Sequence, residues 1–145
     1  MAHVAKYYGK FFVSLANKEI DLDSDTLKVM LCTSSYTPDQ DAHQYKSSVT
    51  SEITGTGYTA GGLALTSVVV SYTGATNVLA LSAANTQWTG ATFTARNAVL
   101  YDSTPASDSV RPLIGYILFD ADISVTGSTF TITWDSSGIA TITVS

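Results

Sequence analysis

Beyond residue 60 the chain is a succession of short runs in which apolar residues alternate with Thr and Ser, and charge hardly interrupts them. Strand side chains point alternately to opposite faces, so a period of two marks a strand with one buried face. Phe130, Ile132 and Trp134 alternate with Thr129, Thr131 and Thr133. Residues 91–101 set Phe93, Ala95, Asn97, Val99 and Tyr101 on one face. Leu113, Gly115, Ile117 and Phe119 alternate with Ile114, Tyr116 and Leu118, so both faces of that strand are expected to be covered. Residues 63–72 supply an apolar, β-branched run, 78–83 a shorter apolar run, and 139–144 closes the chain. Asp135-Ser136-Ser137-Gly138 reads as a four-residue hairpin loop between the last two strands. Roughly seven short strands with turns between them predict a mainly β fold: an antiparallel β-sandwich or jelly-roll-like barrel.

Ahead of this region the signals change. Val4, Tyr8, Phe11, Phe12 and Leu15 recur at spacings of three and four, which predicts one short N-terminal helix within residues 1–17, weakened by Gly9. Its aromatics Tyr7, Tyr8, Phe11 and Phe12 form an adhesive stripe that packs on its own sheet or docks on a neighbour. Leu27, Val29 and Leu31 then alternate with Lys28, Met30 and Cys32, as in a half-buried strand, and Cys32 reads as a buried, inert thiol. Residues 33–62 have no sustained period and form a long loop or arm anchored by Tyr36, His43, Tyr45 and Tyr58. The glycines of residues 55–62 (GTGYTAGG) do not fit a phosphate loop, because a β-pattern follows them; they suit positive φ and close backbone approach.

Size and charge exclude several function classes. A chain of 145 residues predicts one domain, able to bury a core without metal or disulfide. A net charge of −5 argues against a nucleic-acid partner, and no run of roughly 20 apolar residues suggests a membrane span. Two histidines and one cysteine, widely scattered, give no zinc spacing and no nucleophile–base pair. Asp21, Asp23 and Asp25 begin like a calcium loop, but Thr26 and Cys32 stand where an EF-hand needs Gly and Glu. No enzymatic activity, cofactor or metal is expected. Arg96 is the only basic residue between Lys46 and Arg111; it reads as an ion pair with Asp102 or Glu52, or as an interface anchor. Trp134 is expected in the core and Trp88 on the surface, where it could serve a glycan-stacking platform.

Several blocks in order resemble small virion structural proteins of tailed bacteriophages. They are residues 24–29 (SDTLKV), 36–39 (YTPD), 55–62, 94–102 (TARNAVLYD), 112–120 (PLIGYILFD) and 129–135 (TFTITWD). The likeness runs from about residue 5 to the C-terminus and departs at Asn97, where the family more often carries Tyr. The resemblance implies a capsid decoration (cement) protein on the outer face of the major capsid protein, self-associated as a dimer or trimer. It implies a virion location after synthesis in the bacterial host cytoplasm. A tail or head–tail joining component and a carbohydrate- or receptor-binding β-module are the alternatives. The contact candidates are Tyr7, Tyr8, Phe11, Phe12, Tyr36, His43, Tyr45, Tyr58 and Arg96.

Overall fold

A computed structural model describes residues 3–145. The fold is mainly β and sandwich-like, with two antiparallel sheets and one short helix. The strands are β1 (Val4–Tyr7), β2 (Leu27–Cys32), β3 (Leu63–Ala64), β4 (Val69–Thr73), β5 (Val78–Ser82), β6 (Thr86–Asp102), β7 (Leu113–Ile132) and β8 (Ala140–Thr143). Helix α1 spans Phe11–Ala16. One sheet has the order β1-β7-β6-β2-β3 and the other β4-β5-β8.

The N-terminal segment departs from the expected helix. Residues 4–7 pair with β7, Val4 opposite Leu118 and Tyr7 opposite Gly115, and only Phe11–Ala16 is helical. Residues 1 and 2, the start of the expected helix, lie outside the described residues. Cross-strand hydrogen bonds to β7 outweigh a helical periodicity that Gly9 already interrupts. The supposed apolar face is therefore split: Tyr8 and Phe11 are buried, whereas Val4 and Phe12 are exposed.

Strands β6 and β7 are long, 17 and 20 residues against the usual five or six, and they organise the molecule. Between the pairs Ala95–Ile123 and Asn97–Leu118, β7 advances five residues while β6 advances two. Such an irregularity bends the ribbon and exchanges its faces. Phe93 and Ala95 point into the main core, as do Ala98 and Leu100, while Val99 and Tyr101 join a second cluster on the opposite face. The single face expected for residues 93–101 is thus broken at Arg96.

Three other expectations need correction. Residues 63–72 form two strands in different sheets, β3 beside β2 and β4 beside β5, with the chain crossing through Ser67 at φ 53°. The 135–138 loop does not close a hairpin: β8 pairs with β5, so the loop carries the chain from one sheet to the other. Trp88 is buried too, 1% exposed, with Phe93 and Phe130 edge-on against it at 6.5 and 5.8 Å. Trp88 sits inside because Phe93 and Phe130 pack on it, whereas Trp134, beyond the end of β7, is only half-buried.

Residues 33–62 cover the back of the large sheet and do not project as an arm. Bridges join Cys32 to Glu52, Tyr45 to Pro112 and Thr56 to Thr92. Asn97, fully buried, donates from Nδ2 to the carbonyls of Tyr36 (2.8 Å) and Thr33 (3.3 Å). The second apolar cluster, including Tyr8, Met30, Tyr36, Val99 and Tyr101, fills the space beneath.

Candidate interaction surface

Burial sorts the nine sequence-derived contact candidates. Tyr8, Phe11 and Tyr36 are interior residues, so they shape the surface from beneath. Tyr7, His43, Tyr45, Tyr58 and Arg96 are half-buried, and Phe12 is 42% exposed.

A hydrogen-bonded chain runs from the core to the loop. Tyr8 and Tyr36 hydroxyls lie 2.8 Å apart, and Tyr36 Oη lies 3.0 Å from His43 Nδ1. The Asp39 backbone N–H also donates to that Nδ1, at 3.3 Å. Nδ1 therefore carries no proton, Tyr36 donates to it, and Tyr8 donates to Tyr36. Burial pushes the Tyr8 phenol well above its ordinary range and the Tyr36 phenol to about 12. Tyr58 donates to Glu52 Oε1 (2.7 Å) and accepts from Leu31 N–H (3.0 Å), and burial raises its pKa as well. Tyr45 donates to Glu19 Oε2 at 3.2 Å. His43, Tyr45 and Tyr58 are occupied in holding the loop.

Arg96 stands at the ribbon's bend. Its guanidinium reaches Asp122 at 3.6 Å, not Asp102 or Glu52. Glu52 is engaged by Tyr58 and by Gly61 N–H. Asp102 is fully buried, accepts from Thr104 N–H at 2.8 Å, and is held above the usual carboxylate range by burial and by the nearby Asp25. Arg96 Nε is buried without a partner beside a hollow of about 280 Å³ lined by Tyr36, Pro38, Tyr116 and Leu118. With the side chain 32% exposed, the guanidinium end of Arg96, and not its buried Nε, is the part that a carboxylate from another protein can meet.

The second exposed feature is apolar. Phe12 and Val13 of α1 are 42% and 50% exposed, backed by Tyr7, whose ring meets Phe12 at 5.3 Å and Phe11 at 5.5 Å. Tyr7 also donates to Thr141 O at 2.8 Å, tying β1 to β8 at the rim of an 880 Å³ cleft between the sheets. Val13 and Asp122 were not among the sequence candidates. A helix of six residues cannot bury Phe11, Phe12 and Val13 together, which is the signal that marks Val13.

Among the described residues no three His, Cys, Asp or Glu side chains are grouped to hold a metal, and no helix is long and apolar enough to cross a membrane. Cys32 is buried, and burial raises its thiol to about 12, as expected of an inert cysteine. No protein family, curated protein or solved structure matches this chain.

Proposed function

We propose that this chain is a non-enzymatic bacteriophage virion structural protein, a decoration protein that clamps onto the outer surface of the major capsid protein and stabilises the expanded head. The ordered sequence blocks support the reading, and one observation carries it: the adjacent exposed Phe12 and Val13 sit on a helix whose other side is locked into the core through Phe11 and Ser14. A rigid apolar patch loses little conformational entropy on docking, so its burial appears as affinity. A module bridging shell subunits binds only the assembled shell, and so stabilises that state by mass action. Many copies around one head add their contributions.

Deleting residues 1–17 would remove β1 and the buried Tyr8 and Phe11, so surface substitutions are the proper test. Phe12→Asp removes apolar contact worth about 1.5–3 kcal/mol, or roughly a ten- to hundredfold loss of binding to expanded heads. Arg96→Gln, which removes the charge without setting a carboxylate against Asp122, is expected to act in the same direction, and both variants should keep the parent's melting temperature to within a few degrees. Unchanged head occupancy by both variants would refute the clamp. Micrographs of particles distinguish a shell position from the alternative, a tail or head–tail joining position. The carbohydrate-binding alternative loses its best platform with Trp88 buried, and a glycan array is expected to stay silent.

A further inference from the structure

Among the described residues, the distal half of β7 has one unpaired side. β6 lies along one edge of residues 123–132, but β1 covers only residues 115–118 on the other. Among the described residues no strand continues that row. The matching outer edge of β6 is closed: Thr92 N–H donates to Thr56 O at 2.9 Å, and a β-carbon on Gly57 would meet Thr89 O at 2.9 Å. The β7 edge carries no Lys, Arg or Pro from residue 123 to 134, so of the usual guards against strand addition it has the bulge at Gly127 alone.

We propose that this edge pairs with the same edge of a second copy, two β7 strands running antiparallel about a two-fold axis. The local sequence fits its own reverse. A bulge at Gly127 (φ 57°) splits the edge into residues 123–126 and 128–132, with Ser124, Thr126, Thr129 and Thr131 exposed on the outer face. Ile123, Val125, Phe130 and Ile132 face the core side. An axis between residues 127 and 128 sets Ile123 against Ile132, Ser124 against Thr131, Val125 against Phe130 and Thr126 against Thr129. Hydroxyls then meet hydroxyls and apolar groups meet apolar groups, the cross-strand pairs that stabilise a sheet. No charge lies within this ladder, so no like charges oppose each other there. Asp120 and Asp122 lie beyond one end and Asp135 beyond the other, so added salt should tighten the pair by screening. An isologous contact of this kind closes on itself. It stands apart from the capsid reading, since it requires only this chain.

The only native cysteine is buried, so added cysteines report cleanly. Thr126→Cys mixed with Thr129→Cys should give a disulfide-linked dimer under mild oxidation, while either alone gives much less. The parent should sediment at twice its 15.3 kDa chain mass. The double variant Thr126→Lys/Thr129→Lys should weaken the dimer at least about tenfold by placing like charges opposite, with the monomer still folded. A parent that stays monomeric at all concentrations, or a dimer whose mixed cysteines never join, overturns the proposal. So does a cysteine at residue 126 that cross-links only to a different protein in assembled particles, which would assign the edge to that partner.

Discussion

At Gly62 the backbone turns with φ +73° and runs so close to β2 that an added β-carbon would collide with the Val29 carbonyl and lie 2.7 Å from Met30 Cα. Gly90 has a comparable φ of +59° with open space around it. The pair separates conformational strain from collision. Gly90→Ala should cost about 1–2 kcal/mol, the penalty of the left-handed conformation alone. Gly62→Ala must also push two backbones apart, and a loss of about 3–5 kcal/mol is expected, in the range reserved for severe core defects. Urea unfolding of the two variants measures the difference. Equal losses would mean that the β2–β3 contact yields without cost. This closeness was legible in the sequence, because a glycine-rich stretch leading into a β-pattern has few other uses.

The loop over residues 33–62 behaves as an element although it has almost no regular structure. Tyr36 holds it from within, through the hydroxyl shared with Tyr8 and His43. Tyr36→Phe leaves the Tyr8 O–H buried without an acceptor, and a cost of about 1–3 kcal/mol follows. Tyr8→Phe leaves Tyr36 its bond to His43, so about 0.5–1.5 kcal/mol is expected. Chemical denaturation ranks the two; an equal or reversed order would sink the donor direction argued for this chain. Element by element, the sequence was readable wherever one face alone is buried. The alternation of Phe130 and Ile132 with Thr survives in the fold, as does the covering of β7 on both faces. It misled where tertiary pairing overrode the local pattern. Val4 and Tyr7 joined a sheet edge despite helical spacing, and the ribbon exchanged faces at Arg96 where no Gly or Pro announces a bend. Trp88 was misplaced because polar neighbours on an alternating strand resemble a loop. Of the candidate surface, Phe12 and Arg96 were visible from residue type, but Asp122 as the partner of Arg96 depends on the bulge, which periodicity does not encode.

For the molecule as a whole, the buried phenols set how stability changes at high pH. Burial raises Tyr8 and Tyr58 well beyond the ordinary phenol range and brings Tyr36 and Tyr101 to about 12, against 10.0 when unfolded. Between pH 10 and 12 the unfolded chain has released these protons and the native chain still holds them. The unfolded state then binds fewer protons, so the unfolding free energy falls as pH rises. The stabilisation is fully present below pH 10 and is lost through the folded values, at up to about 1.4 kcal/mol per pH unit for each tyrosine. On the acid side Asp21, Asp39, Asp108 and Asp135 are lowered and Asp102 alone is raised, so Asp102 offsets only part of the loss as pH falls. Burial raises Asp102, whose contribution grows as pH falls, whereas backbone hydrogen bonds lower Asp39, whose contribution disappears. Melting temperatures recorded from pH 8 to 12 should therefore decline steeply above 10, and Tyr36→Phe should make that decline shallower by one group. Phenolate absorbance followed in parallel should lag behind that of the urea-unfolded chain. Coincident titrations of folded and unfolded protein would show that these hydroxyls reach water, and the packing of the back face described above would then be wrong.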